Sequence, residues 1–331
     1  MKNTITSWLF KAFGILTAIS LLLGLPATIP AADFPSKPAK IIVAFPPGAA
    51  TDIVGRIVAQ KLTEMWGQPV IVDNRAGAAG TIGTDVVAKA APDGYTMLMG
   101  TLGNLAANPS LYRNLPFSME RDFIPVSLVV MVHFVMVVHP SVPAKTVKEL
   151  IALAKAKPGE LNYSSSGAGG LPHLAGELFK SMAGVKVQHI GYKGSVPSFT
   201  DLLGGRITYT IDNLPLALQY IKSGKLRALA VVGPKRQPML PDVPTMVEAG
   251  IPGYVLTNWF GMVVPAGTPR NAVQRINSDI AKIMQMPDVR ERLYGMAAEP
   301  VGSTQEHFSA FLKAETAMWA KVIKDGNITA E

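Results

Sequence analysis

The sequence has no cysteine and few charged residues. Its 331 residues contain no Cys, and Asp, Glu, Lys and Arg together make up 16%. The lack of cysteine excludes disulfide bonds, thiolate metal sites and cysteine nucleophiles. The formal net charge of +8 is spread along the chain, with no dense basic run and no interleaved aromatic residues. This pattern disfavours nucleic acid as a partner and leaves a modest preference for anions.

Motifs of nucleotide-binding and catalytic sites are also missing. The stretch "NRAGAAGTIG" contains neither G-x-G-x-x-G nor a terminal Gly-Lys-Ser/Thr, and "SSSGAGG" is not G-x-S-x-G. His173 and Glu177 are spaced i, i+4 like half of a metal site, but nothing nearby completes it, and we expect a pair on a helix surface. We predict no catalytic residue, no metal and no cofactor.

The N-terminal segment has the pattern of a secretory signal. Lys2 and Lys11 precede a short apolar run, "AFGILTAISLLLGL", and no later stretch is long and apolar enough to span a bilayer. We expect a signal peptide over residues 1–32, cleaved near residue 32 or 33. The mature protein is then expected in the periplasm.

Apolar, β-branched runs alternate with helical patterns in two series. The first contains "AKIIVAF", a helix from about Ile53 to Trp66, "PVIVDN" and "YTMLMG". The second follows "PVSLVVMVHFVMVVHP", has a capping-box pattern at Thr146 and Glu149, and contains "KVQHI", "RITYTI" and "LRALAVV". The stretch "NWFGMVVPAGTP" closes the second series, and we expect two further helical segments, the last capped by Ser303 and Glu306. The alternation predicts an α/β fold with mainly parallel sheets and two facing lobes around a cleft.

The first candidate binding element is the turn "PPGAATD", which joins a strand to an amphipathic helix. Small residues leave its backbone uncovered, so free N–H groups and the positive end of the helix dipole point out of the turn. Such an arrangement suits a carboxylate or another small anion. The alternative is that Thr51 or Asp52 is only an N-cap and the small residues only permit close packing.

The second candidate element is "SSSGAGGLPH", where serine hydroxyls and glycines precede Pro172. It repeats the first design in the other series, which favours a ligand cleft over a chance loop. Asp212 and Asn213 follow a strand and either cap a helix or face the cleft. The residues alone do not separate these two roles.

An ordered set of stretches then carries a family resemblance: "FPSKPAKIIVAFPPGAATD", "VIVDNRAGAAGTIGTDVVAKAAPDGYTML", "NPSLYRNLPF", "LNYSSSGAGGLPHLAGELF", "GYKGSVPSFTDLLGGRI", "DVPTMVEAGIPGY" and "WFGMVVPAGTP". From Phe34 to Trp319, the chain resembles the solute receptors of tripartite tricarboxylate transporters, the Bordetella uptake gene (Bug) family. The resemblance implies a periplasmic binding protein type II fold. It also implies lobe one over residues 33–132, lobe two over 133–253, and a return to lobe one over 254–331.

The resemblance further implies the residues that contact a ligand. Carried over onto this sequence, they are Pro47, Gly48, Ala49, Asp52, Gly77, Gly80, Thr101, Asn104, Ser164, Ser166, Gly167, Tyr192 and Asp212. Family ligands are mostly small carboxylates, bound through main-chain groups and ordered waters. Ala49 departs from the pattern, because the family usually has glycine there, and its methyl group is expected to affect a bridging water or the width of the pocket.

The resemblance thus implies a monomeric receptor that captures a small carboxylate by domain closure for a tripartite membrane permease. Two alternatives stay open. One is a ligand-sensing protein of the same fold that signals to a membrane partner. The other is a secreted hydrolase that uses Ser164, Ser165 or Ser166.

Overall fold

Two β-sheets organise the protein in a computed structural model, which describes residues 34–325. The predicted signal peptide lies outside the described residues. Within them, no helix has the length and apolar character needed to cross a membrane.

The strands and helices follow the predicted alternation. The strands are β1 (Ala39–Val43), β2 (Val70–Asn74), β3 (Thr96–Thr101), β4 (Phe123–Val132), β5 (Phe134–Val138), β6 (Asn162–Ser165), β7 (Gln188–Gly191), β8 (Tyr209–Asn213), β9 (Arg227–Val232), β10 (Asn258–Pro265) and β11 (Ala298–Pro300). The helices are α1 (Ala50–Trp66), α2 (Thr81–Ala88), α3 (Asn108–Leu111), α4 (Met119–Asp122), α5 (Val147–Ala156), α6 (Leu171–Ala183), α7 (Ser195–Leu203), α8 (Leu214–Lys222), α9 (Arg270–Ile283), α10 (Pro287–Gly295) and α11 (Gln305–Asp325).

The first sheet has the order β11-β4-β10-β3-β1-β2 and the second the order β7-β6-β8-β5-β9. The expectation of mainly parallel sheets is wrong, because both sheets are mixed. In the first, β1 pairs in parallel with β2 and β3, whereas β10 is antiparallel to β3 and β4. In the second, β6 is parallel to β7 and β8, whereas β5 is antiparallel to β8 and β9. The antiparallel pairs arise where the chain enters or leaves a sheet.

The chain passes from the first sheet to the second between Val132 and Phe134. It returns between Val232, the end of β9, and Asn258, the start of β10. Division into lobes at residues 132 and 254 stays a prediction, but both of these positions lie at or within the connections between sheets.

Helix α1 is fixed by the apolar spacing that predicted it. Val54, Ile57, Val58 and Leu62 are buried in one cluster with the strand residue Ile41. Since this spacing keeps the four side chains on one helix face, the helix axis is held against the sheet and its N-terminus is fixed at the end of β1. The helix begins at Ala50, three residues before the predicted start.

The C-terminal helices require two corrections. Three helices follow β10 rather than two, because Pro287 opens α10 after a short turn and cannot continue α9. The cap of α11 is Thr304, whose hydroxyl accepts a hydrogen bond from His307 N at 3.2 Å. Ser303 instead accepts a bond from Leu128 N in β4, at 3.0 Å.

Candidate functional site

Two cavities lie between the connections of the first sheet and those of the second. The small cavity has a volume of about 30 Å³ and the larger cavity about 280 Å³. Phe45, Ala49, Ala50, Thr51, Thr101, Gly103, Ser166, Gly170, Leu171, Pro172, Ser195, Asn213, Leu216, Asn258 and Phe260 line the small cavity. Phe45, Pro46, Gly77, Ala78, Ala79, Gly80, Tyr112, Ser166, Gly167, Ala168, Gly191, Tyr192, Lys193 and Gly194 line the larger cavity. Because Phe45 and Ser166 line both, the two spaces adjoin.

The turn after β1 presents the N-terminus of α1 to the small cavity. Gly48 has φ +81°, a conformation that favours glycine, and Ala49 is the N-cap, with no side-chain hydrogen bond to the helix. The first N–H groups of an α-helix have no partner within the helix. The N–H of Ala49 donates to Pro46 O at 3.2 Å, so Ala50 and Thr51 bring the free main-chain donors and the positive end of the dipole to the cavity wall.

Asp52 holds this turn from behind. Its carboxylate accepts hydrogen bonds from Gly48 N at 2.9 Å, Arg56 Nε at 3.0 Å and Asn74 Nδ2 at 2.9 Å, and the residue is 3% exposed. Burial alone would raise the pKa of Asp52, but these hydrogen bonds together hold it below its usual value. The N-cap alternative is wrong for Thr51 and Asp52, because Ala49 occupies that position. Asp52 is not among the residues that line either cavity.

The turn after β2 forms one wall of the larger cavity in an unusual backbone conformation. Gly77, Ala78, Ala79 and Gly80 have φ values of +135°, +46°, +49° and +90°. Left-handed backbone is disfavoured for alanine, so this turn stores strain of the kind found at ligand sites. Pro47, a further predicted site residue, is not among the lining residues of either cavity.

Thr101 and Asn104 follow β3 and have different positions. Thr101 lines the small cavity. Asn104 is fully buried, its Oδ1 accepts bonds from Thr101 N at 2.7 Å and Thr101 Oγ1 at 2.9 Å, and its Nδ2 donates to Thr84 Oγ1 at 2.8 Å. Asn104 therefore supports the wall to which Thr101 belongs.

The three serines after Tyr163 also differ in whether they line a cavity or are fully buried. Ser166 lines both cavities, and Gly167, with φ +132°, lines the larger one. Ser164 is fully buried and accepts a bond from Ser198 Oγ at 2.7 Å. Ser165 is fully buried and its hydroxyl lies 2.7 Å from His189 Nε2. Only Ser166 of the three is placed to meet a ligand in these cavities.

Comparison with known proteins identifies the family. The model of the tripartite tricarboxylate transporter family receptor matches residues 54–328. The chain belongs to this family. It is 39% identical to the protein BugT of Bordetella pertussis over 318 residues, which are 96% of this chain and 97% of that protein.

Solved structures of similar proteins share its architecture. The structure of R. palustris Rpa4515 with adipate is 38% identical, has a TM-score of 0.88, and is matched over 90% of this chain and 99% of that chain. MatC (Rpa3494) from Rhodopseudomonas palustris with bound malate is 29% identical, has a TM-score of 0.83, and is matched over 88% and 99%. The predicted α/β binding-protein fold and the resemblance to this receptor family are confirmed.

In this receptor, the pair His173 and Glu177 is not on the helix surface, so that expectation is wrong. His173 is 5% exposed, accepts a bond from Gly169 N at 3.0 Å, and stacks on His189 with ring centroids 4.1 Å apart. Glu177 accepts a bond from Tyr163 Oη at 2.6 Å. Burial, with the nearby ring of His173, lowers the pKa of His189 to about 4, so its imidazole is neutral at neutral pH. The cluster packs α6 against the second sheet.

Asp212 and Asn213 have separable roles in the receptor. Asn213 is the N-cap residue of α8, lines the small cavity, and accepts a bond from Asn258 Nδ2 at 2.8 Å. Asp212 is fully buried and accepts bonds from Asn213 N at 2.6 Å and Asn213 Nδ2 at 2.9 Å. Burial raises the pKa of Asp212 to about 6, although the Ser195 hydroxyl and Asn213 favour the ionised form. Asp212 Oδ2 is buried without a hydrogen-bond partner.

Tyr192 lines the larger cavity and donates a hydrogen bond to Asp201 Oδ2 at 2.7 Å. Burial and this carboxylate raise the pKa of Tyr192 to about 12. Across the cavity, Pro46 contacts Gly194 so closely that a Cβ on the glycine would clash with the proline ring. Contact of any of the predicted site residues with a ligand stays a prediction.

Several lining residues escaped the sequence analysis. Ser195 begins α7 directly after the stretch "GYKG", and a polar residue in that position is the signal that would have found it, whereas Asn258, at the start of β10, has no such neighbour. Tyr112 offers no such signal, because its position depends on how α3 packs. Within residues 34–325, no group of three His, Asp or Glu side chains is arranged to hold a metal ion.

Proposed function

We propose that this receptor captures a small organic acid, with one carboxylate at the N-terminus of α1 in the small cavity. The observation that carries the proposal is the uncapped first turn of α1, whose residues Ala50 and Thr51 line that cavity. Unpaired N–H groups and the helix dipole favour an anion there. The hydroxyls of Thr101 and Ser166 lie in the same lining and are suitable further donors.

In this proposal, neutral groups hold the carboxylate in the small cavity. No Lys, Arg, Asp or Glu is among the residues that line the small cavity, so a carboxylate there would be held by dipoles and not by an ion pair. A volume of about 30 Å³ holds only one or two water molecules. We therefore expect the carboxylate group to fill this space in place of water, and the rest of the acid to extend past Phe45 and Ser166 into the larger cavity, where Lys193 adds a positive charge.

The names of similar proteins support this class of ligand. The structure of Rpa4515 contains adipate and that of MatC contains malate, both of which are dicarboxylates. A second carboxylate in the larger cavity would lie near Lys193 and the main chain of the turn after β2. We expect dicarboxylates to bind more tightly than monocarboxylates of the same length.

Capture requires the two lobes to separate and close. We propose residues 33–132 and 254–331 as one lobe and residues 133–253 as the other. Contacts such as those of Tyr112 with Ala168 and of Pro46 with Gly194 form only when the lobes meet, so they stabilise the closed form. A bound ligand contacts both lobes and therefore shifts the population of molecules further toward the closed form.

The receptor role also implies a location and a partner. We propose a monomer in the periplasm, exported by the signal peptide predicted over residues 1–32, that delivers its ligand to the permease subunits of a tripartite tricarboxylate transporter. Loss of uptake of the bound acid on deletion of the gene would separate this role from sensing. Hydrolysis is disfavoured, because Ser165, which lies beside His189, lines neither cavity.

One pair of variants tests the carboxylate site. Ala50→Pro removes the first N–H of α1, and it suits the fold because proline is favoured at the first helical position and Ala49 is extended, with φ −67° and ψ 158°. Ala50→Val adds similar bulk and keeps the N–H. We expect Ala50→Pro to weaken dicarboxylate binding at least about tenfold relative to Ala50→Val, since hydrogen bonds to charged groups contribute about 1.5–3 kcal/mol.

The readout is the ligand-induced rise in melting temperature of the mature protein, after co-purified ligand has been removed by unfolding and refolding. Circular dichroism controls for folding of both variants. Equal affinity of the two variants for every acid would overturn the proposed carboxylate position.

A further inference from the structure

A third cavity lies on the side of the crossing strands, away from the site described above. Its volume is about 440 Å³, and none of its lining residues belongs to the small or the larger cavity. His133, Lys235, Gln237, Pro238, Met239, Tyr294, Gly295, Ala297, Ala298 and Glu299 line it. This volume is within the range of small-molecule sites. We call it the hinge cavity.

The hinge cavity is built from both proposed lobes. His133 is the single residue between β4 and β5, where the chain crosses between sheets. The segment 235–239 follows β9 of the second sheet, whereas residues 294–299 run from α10 into β11 of the first. A molecule that fills the cavity therefore contacts both lobes beside the crossing.

Two opposite charges lie on opposite lobes at this cavity. Lys235 comes from the second-sheet side and Glu299 from the first-sheet side, and both are exposed. Neither is ion-paired with any other residue that the structure describes. Both line the hinge cavity together with His133. Burial is the main cause that lowers the pKa of His133, and of the two charges Glu299 raises that pKa and Lys235 lowers it. A ligand with one charge of each sign matches this pair across the cavity.

The remaining lining supplies an apolar wall and an unsatisfied polar group. Pro238, Met239 and the ring of Tyr294 offer apolar surface. His133 is 5% exposed, and its Nδ1 is buried without a hydrogen-bond partner. Burial lowers the pKa of His133, so the ring is neutral at neutral pH and does not compete for a carboxylate.

The wall of the hinge cavity that precedes β11 contains a residue in a strained backbone conformation. Ala297 has φ +57°, and it is buried in the same hydrophobic cluster as Val135 and Leu240 of the second-sheet side. Non-glycine residues in this conformation are sparse and persist where surrounding structure imposes them. The wall before β11 is thus held in place by contacts from the other lobe.

We propose that the hinge cavity is a second ligand site for a small zwitterion, an α-amino acid with an apolar side chain. Its carboxylate faces Lys235, its ammonium group faces Glu299, and its side chain packs on Met239 and Tyr294. Because this ligand bridges the two lobes in the arrangement seen here, its binding favours that arrangement. By linkage, it raises the affinity of the cleft for its own ligand by the same factor that the cleft ligand raises its affinity.

L-leucine is the probe, tested on the refolded mature protein by calorimetry and melting temperature. The matched analogues are 4-methylpentanoate, which lacks the ammonium group, and 3-methylbutylamine, which lacks the carboxylate. We expect leucine to bind and to raise the melting temperature at millimolar concentration, and each analogue to bind at least about tenfold more weakly, since each loses one charge-assisted contact.

Substitutions of the two charged lining residues test whether leucine binds in the hinge cavity. Lys235→Gln and Glu299→Gln are exposed substitutions and are each expected to weaken leucine binding by about tenfold or more, whereas the exposed controls Lys225→Gln and Glu120→Gln leave it unchanged. Ala50→Pro, which alters the small cavity, is expected to retain leucine binding. Loss of leucine binding in Ala50→Pro together with no effect of Lys235→Gln and Glu299→Gln would overturn the proposal, as would no binding of leucine to the wild-type protein.

Coupling is read from adipate affinity with and without saturating leucine. A rise that disappears in Glu299→Gln supports the proposal. Unchanged adipate affinity contradicts the link between the hinge cavity and lobe closure. If adipate does not bind at all, the proposed function fails, while the leucine measurements on the hinge cavity still stand by themselves.

Discussion

The hydroxyl of Tyr112 donates a hydrogen bond to the main-chain carbonyl of Ala168, at 2.5 Å. Tyr112 directly follows α3 on the first-sheet side, and Ala168 lies in the glycine-rich turn after β6 of the second sheet. The bond therefore joins the two sides of the larger cavity. The next residue is Gly169, where a Cβ would come within 2.8 Å of Tyr112 Oη. The glycine permits this approach, so the turn of small residues serves the contact between the two sides of the larger cavity.

Tyr112→Phe should weaken ligand binding without unfolding the protein. The substitution removes one hydrogen bond between the two proposed lobes, which we expect to form only in the closed arrangement, and a typical hydrogen bond contributes about 0.5–1.5 kcal/mol. We expect a loss of affinity of about two- to tenfold by calorimetry, together with a larger mean radius by small-angle scattering. Tyr220→Phe is the matched control, because Tyr220 is partly buried against the core on the second-sheet side. Equal affinities of the two variants would show that the Tyr112 bond does not contribute to closure.

Ala49→Val should block the small cavity. Ala49 is 5% exposed and lines a space of only about 30 Å³, so two added methyl groups remove the room that a carboxylate needs. We expect at least about tenfold weaker binding of acids, in line with overpacking costs of about 1–3 kcal/mol. Ala49→Gly, which restores the residue usual in the family, should bind at least as tightly as the wild-type protein. Wild-type affinity in Ala49→Val would place the carboxylate elsewhere.

Asp52→Asn should destabilise the protein, and the loss should depend on pH. Removing the charge weakens the bonds to Gly48 N, Arg56 and Asn74, and partly unsatisfied buried groups cost about 1–3 kcal/mol. Because the folded pKa of Asp52 lies below its usual 3.8, its stabilisation is present above that value and is lost as the pH falls through the folded pKa. Urea unfolding should show a wild-type advantage at neutral pH that shrinks below about pH 4.

Asp52→Ala should both lower the melting temperature and weaken ligand binding, because Asp52 holds the turn that carries the main-chain donors. Unchanged stability of Asp52→Ala or of Asp52→Asn at neutral pH would contradict the positioning role.

Asp212→Asn should have the opposite effect on stability. Burial raises the folded pKa of Asp212 from its usual 3.8 to about 6, so its ionised form is disfavoured in the folded protein. The resulting penalty is absent below about pH 4, grows between about pH 4 and 6, and is constant above. We expect Asp212→Asn to melt at a higher temperature than the wild-type protein at neutral pH and at the same temperature near pH 4. A lower melting temperature at neutral pH would show that the carboxylate is needed in its charged form.

Features of the fold that depend on residues close together in the sequence were predicted correctly. The apolar spacing of Val54, Ile57 and Leu62 predicted α1, and the small residues before it predicted an uncovered N-terminus. The helix starts earlier than expected because Ala50 and Thr51 carry no apolar signal, yet main-chain hydrogen bonding includes them.

The burial of individual side chains and the direction of some strands depend on tertiary packing and could not be predicted from the sequence. The spacing of His173 and Glu177 is the same on an exposed and on a buried helix face, and only the contact with His189 and Tyr163 buries it. Likewise, Thr101 and Asn104 are both polar, and the sequence does not show that the Asn104 side chain is held in the interior by its hydrogen bond to Thr84. The antiparallel strands were missed because strand direction follows from the path between sheets.

The central claim is that main-chain donors at α1 bind the carboxylate of a small acid. The most direct measurement is a calorimetric titration of ligand-free mature protein with adipate and, in parallel, with its uncharged diamide. Saturable binding of adipate at one molecule per chain, with the diamide bound far more weakly, is the predicted result. If no carboxylate of this class binds, or if the diamide binds equally well, the site does not select the anion and the account is wrong.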